Sequence, residues 1–137
     1  MAEIERIVAL DVGEKRIGVA FGDSQTKIAV AAETLDNDDN FLQNLSKLIA
    51  IKNPVAIVLG MPRSLDGQTT KQSEFVNEFA KSLNVFNLPI ILQDESLTSV
   101  EAKSLLSAQH GGRYEKKDVD AKAAELILSD YLERKYA

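Results

Sequence analysis

Cysteine is absent from this 137-residue chain, and histidine occurs once, as His110. The first absence excludes disulfides and thiolate metal sites, and it fits a cytoplasmic setting. The second argues against a His-rich zinc site or a Ser-His-Asp triad. No run approaches the roughly 18 apolar residues that a membrane span needs. The opening "MAEIERI" lacks the basic and then apolar layout of a signal peptide. An excess of positive charge is missing too, since 16 Lys and Arg stand against 21 Asp and Glu. A net charge of −5 argues against a nucleic-acid coat protein. It does allow an enzyme that meets nucleic acid through divalent metals and local basic patches. Lys15-Arg16 and the "RYEKK" of residues 113–117 are such patches. Each alone reads more readily as solvated surface. Acid–base or metal chemistry must therefore rest on Asp, Glu, Lys or Tyr.

What is present suits one domain over residues 1–137, with 45% apolar and 27% charged residues. Strands are expected at Ile4 to Asp11, Arg16 to Gly22 and Lys27 to Thr34, joined by short turns as in a hairpin meander. "DNDDN" offers helix-starting side chains, and Phe41, Leu42, Leu45, Leu48 and Ile49 recur at helical spacing. "VAIVLGMP" reads as a buried parallel strand. A helix carrying Phe75, Phe79 and Leu83 follows, and then a second buried strand in "LPIILQDES". Thr98 and Glu101 suggest a capping box for a third helix. The Gly111-Gly112 loop leads to a last helix over about Asp118 to Lys135. Parallel strands need right-handed crossovers, and the meander adds antiparallel partners. The expected fold class is α/β: a mixed five-stranded sheet, three antiparallel strands and then two parallel ones, flanked by helices.

One stretch, "IVALDVGEKRIGVAFGDS", raises a specific question: a core strand runs straight into Asp11. An ionised carboxylate there costs free energy unless it is solvated or paired. Glu95 ends the last strand in the same way, and ligands of open parallel sheets bind beyond such strand ends. On the final helix, Ala124, Ile127 and Tyr131 define a core stripe that places Asp120 on the buried side and Asp118 on the polar side, as a helix cap. Three converging carboxylates repel one another and call for a hard cation, Mg²⁺ or Mn²⁺. Gly13 and Gly18 are assigned to backbone geometry.

The segments "LDVGEKRIGVAFGD", "VLGMPRSLDG", "LQDESLTSVEA" and "VDAKAAELILSDYL" follow in order across nearly the whole chain. Together they closely resemble the YqgF family of Holliday junction resolvases or pre-16S rRNA nucleases. That resemblance implies a ribonuclease-H-like fold and a metal-dependent endonuclease, with Asp11, Glu95 and Asp120 on the family's three acidic positions. These three residues are the expected catalytic and metal-ligating set, with Mg²⁺ or Mn²⁺ as cofactor. Lys15 and Arg16 are expected to contact substrate phosphates. The implied partner is nucleic acid, either pre-rRNA or branched DNA, and the implied assembly a monomer or weak homodimer. The chain departs from the family at Ser96, where Arg is usual, and at Ser99, where Thr is usual. Related resolvases use a fourth ligand, for which Asp94, Asp118 and Asp23 are weak candidates. Two other readings stay open: a nucleotide-binding domain of the actin and sugar-kinase type, and a non-catalytic module on the ribosome.

Overall fold

The computed structural model describes residues 3–61, 71–94 and 116–136. Its chain order is β1 (Arg6–Val12), β2 (Arg16–Asp23), β3 (Ala29–Asp36), α1 (Phe41–Lys52), β4 (Ala56–Met61), α2 (Lys71–Ser82), a 3₁₀ turn (Leu83–Phe86), β5 (Ile90–Asp94) and α3 (Lys116–Lys135). The strands form one sheet in the order β3-β2-β1-β4-β5. β1 and β2 pair antiparallel, as do β2 and β3, whereas β1 with β4 and β4 with β5 are parallel. The mixed five-stranded sheet expected from the hydrophobic pattern is what forms. The expected third helix and the Gly111-Gly112 loop lie outside the described residues.

Strand alternation sends successive side chains to opposite faces, and here the two faces differ in composition. Ile7, Ala9, Ala20, Ala29 and Val58 pack against Ala124, Ile127, Leu128 and Leu132 of α3. Val8, Leu10, Ile17, Val19, Ile57 and Leu59 pack against Phe41 and Leu45 of α1 and Val76 of α2. Phe41 and Phe79 join α1 to α2 with ring centroids 5.4 Å apart, tilted by 56°, a favourable offset for aromatic quadrupoles.

Boundaries move where local chemistry overrides periodicity. β3 starts and ends two residues later than expected, because Lys27 takes a left-handed φ of 58° and belongs to the turn. Asp23 builds that turn: its Oδ1 accepts from the Gln25 and Thr26 backbone N–H groups at 2.9 and 2.7 Å. Asn40 precedes α1 but makes no side-chain cap bond. Instead Asp38 accepts the Asn40 N–H at 2.9 Å. Between Val19 and Ala20 the β2–β3 register slips, leaving Ala32 as a bulge. The Glu125 carboxylate of α3 accepts the Ala31 N–H there at 3.2 Å. A bulged edge strand pairs poorly with further chains.

Candidate functional site

Asp11 sits next to last in β1, half-buried after four buried residues. Alternation continues the Ile7-Ala9 series to Asp11, so the carboxylate belongs to the α3 face. Its antiparallel partner is Gly18, and directly opposed residues share a face. Asp120 of α3 crosses at this point. A Cβ built on Gly18 would lie 1.9 Å from the Asp120 carbonyl oxygen, so only glycine lets the helix approach. Gly22 repeats the device, where a Cβ would meet the Ile28 carbonyl at 2.8 Å and Leu132 at 2.9 Å. The stripe Gly18, Ala20, Gly22 is thus the bed of α3, and it sets the Asp120 backbone against the residue paired with Asp11.

Arg16 opens β2 at this same edge, and its Nε donates to Asp120 Oδ2 at 2.9 Å. The two side chains retain 26% and 23% of their exposure. That is buried enough to strengthen the pair and open enough for a ligand to reach it. Lys15 is exposed on the hairpin tip. The tip is held by Asn37, whose Nδ2 donates to the Gly13 carbonyl and whose N–H donates to the Lys15 carbonyl, both at 2.9 Å.

Two of the three expected acids, Asp11 and Asp120, thus both lie at Gly18, one as its strand partner and the other against it through its backbone, with Lys15 and Arg16 at the same edge. Glu95 lies outside the described residues, directly after Asp94 at the end of β5. Among the described residues no three His, Cys, Asp or Glu side chains cluster as a metal site. The donor set that is present, carboxylate oxygens from a strand end and a helix face, suits a hard divalent cation and no soft one.

The minor candidates fare differently. Asp23 pairs with Arg6 at the opposite end of β1, about 17 Å of strand from Asp11, and its carboxylate is engaged in the turn. It cannot serve as a fourth ligand. The backbone N–H of Thr26 holds its carboxyl below the ordinary 3.8, against the opposing effect of burial. Asp118 falls within α3, two residues after its first described residue, and so is not the residue that caps it. Side chains of Lys116 to Asp118 and of Asp94 are outside the description.

Residue-level reading missed two features. The Arg16–Asp120 pair joins residues 104 positions apart, and no local pattern announces it. The Gly-x-Ala-x-Gly stripe of β2, with its period of two, is the local signal of a closely packed helix. On β5, Gln93 is buried and its Nε2 donates to Asp130 of α3 at 2.6 Å, which ties the same helix to the far side of the sheet.

A family model described as "RuvX: Holliday junction resolvase" matches residues 5–134. A Buchnera aphidicola protein named "Putative pre-16S rRNA nuclease" is 39% identical over 129 residues, covering 91% of this chain and 94% of its own. A protein of the same name from Pseudomonas putida is 40% identical over 138 residues, covering 97% and 98%. Among solved structures, Thermus thermophilus RuvC in complex with a Holliday junction substrate superposes with a TM-score of 0.54 at 12% identity, covering 97% of this chain and 98% of that one. At that identity the likeness speaks for the fold alone, which is ribonuclease-H-like.

Proposed function

The chain belongs to the RuvX Holliday junction resolvase family, a family of phosphodiester-cleaving nucleases, and from that premise we propose that it is a divalent-metal-dependent endonuclease acting on the 5′ region of pre-16S rRNA. The observation that carries the reading is the meeting of Asp11 and Asp120 across Gly18, with Arg16 beside them. Asp11 and Asp120, joined by Glu95, are the ligands. Mg²⁺ or Mn²⁺ held there would activate a water and stabilise the leaving oxygen. The carboxylates fix their geometry through rigid elements, a core strand and a helix pressed on glycine. Lys15 and Arg16 draw the phosphodiester to the sheet edge, which the protein's net negative charge would otherwise disfavour. The substrate assignment follows the names of the full-length relatives.

The family description itself favours a second reading, in which the substrate is a four-way DNA junction. Cutting both strands symmetrically needs a two-fold dimer. One assay tests both: precursor RNA and a four-way junction are offered with Mg²⁺, Mn²⁺ or EDTA. Cleavage of the RNA only, abolished by EDTA and reduced at least 100-fold in Asp11→Asn, is the expected result. That loss equals about 2.7 kcal/mol of barrier. Cleavage that survives EDTA, or none of either substrate, overturns the proposal. Preferential cutting of the junction selects the resolvase.

A further inference from the structure

The Arg16–Asp120 pair occupies one of the two carboxylate oxygens that Asp120 can offer the proposed site. Oδ2 of Asp120 accepts the Arg16 Nε–H at 2.9 Å. A divalent cation bound by the same carboxylate would compete for those lone pairs. The backbones on both sides are pinned. Gly13 N–H donates to the Arg16 carbonyl at 3.0 Å, Asn37 holds the carbonyls of Gly13 and Lys15, and the Asp120 carbonyl rests on Gly18. Any change of partner is therefore made by side chains alone. A guanidinium fork fits a phosphate as well as it fits a carboxylate, and a phosphate arriving at this edge offers Arg16 a second anion.

We infer that Arg16 is an exchange arm: in the free protein it holds Asp120 and keeps cation affinity low, and nucleic-acid phosphate draws it away so that cation and nucleic acid bind cooperatively. The effect of Arg16 on cation affinity runs through Asp120, and it rests on the reading of Asp120 as a ligand. By linkage, each binding partner raises the affinity for the other by the same factor. The arrangement keeps the site weakly charged with metal until substrate arrives.

The test is Mn²⁺ titration of the full chain without nucleic acid, followed by electron paramagnetic resonance. Arg16→Gln should bind Mn²⁺ at least fivefold more tightly than the native protein. Lys15→Gln removes the same charge one residue away and should shift affinity less than twofold. Arg16→Lys keeps the charge without the planar fork and should fall between. Thermal midpoints verify that each variant is folded. A second arm measures a fluorescent RNA oligonucleotide with Ca²⁺, which takes the same oxygen ligands, or with EDTA. Ca²⁺ should tighten native binding at least threefold, and Arg16→Gln should lose that gain. If Asp120→Asn abolishes Mn²⁺ binding while Arg16→Gln binds no more tightly than native, the exchange is overturned and the metal site stands. If neither the native protein nor Arg16→Gln binds Mn²⁺, both fall.

Discussion

The two faces of the sheet are built from alternate residues of the same strands, yet they do different work. The face under α1 and α2 carries Val8, Leu10, Ile17, Val19, Ile57 and Leu59, bulky side chains that keep the helices a full layer away. The face under α3 carries Ile7 and Val58 together with the small residues Ala9, Gly18, Ala20, Gly22 and Ala29, and ends in Asp11. The first maximises apolar area removed from water. The second gives up area so that a helix backbone can touch the strand. What it gains is position, since the contact at Gly18 brings the backbone of Asp120 against the residue that pairs with Asp11. Stability and the candidate chemistry are thus largely divided between faces.

Substitutions on either face should break that division or sharpen it. The largest effect is expected at Gly18→Ala. The new methyl would sit 1.9 Å from a backbone oxygen, so α3 must move. Overpacking of this kind costs about 3 kcal/mol. A displacement of about 1 Å at a catalytic group costs on the order of 100-fold in rate. Denaturant midpoint and cleavage rate should therefore fall together. A folded, fully active Gly18→Ala would show that the contact does not position the acids. On the opposite face, Leu45→Ala empties a fully buried site and should cost about 3 kcal/mol. Cleavage per folded molecule should stay unchanged, measured well below the lowered midpoint. The smallest effect belongs to the far end of the sheet. Asp23→Ala should lose about 1 kcal/mol at neutral pH through its missing turn bonds, with cleavage intact. Because the folded-state carboxyl titrates below the ordinary 3.8, its stabilisation is complete above that value. It is lost as pH falls through the folded value. The gap between Asp23→Ala and native protein should accordingly close in acid, and a gap that widens there contradicts the assignment.

Much of this was legible in the residues because strand and helix periods report burial directly. The continuous apolar run of β1 and the Ala124-Ile127-Tyr131 stripe of α3 are local patterns with local causes, and both lead to the observed packing. The half-buried side chain of Asp120 follows from the same stripe. Legibility fails where the cause is remote. Which cation faces Asp120 depends on a hairpin folded a hundred residues earlier. The start of β3 depends on one left-handed residue, Lys27, and the absence of a cap at Asn40 depends on Asp38 taking the local bond instead. Asp118, given a capping role by its polar position, lies inside a helix that begins earlier than its apolar stripe suggests.

The separation of 104 positions between Arg16 and Asp120 has a temporal side as well. Chains emerge from the N-terminus at roughly 5–20 residues per second. The β1–β2 hairpin is therefore made roughly 5–20 s before the helix that brings Asp120 to Arg16. During that interval the glycine bed is bare, and contacts of such long range close late in folding. On the proposed site, the Arg16–Asp120 edge is complete only once the last helix has been delivered to the first strands.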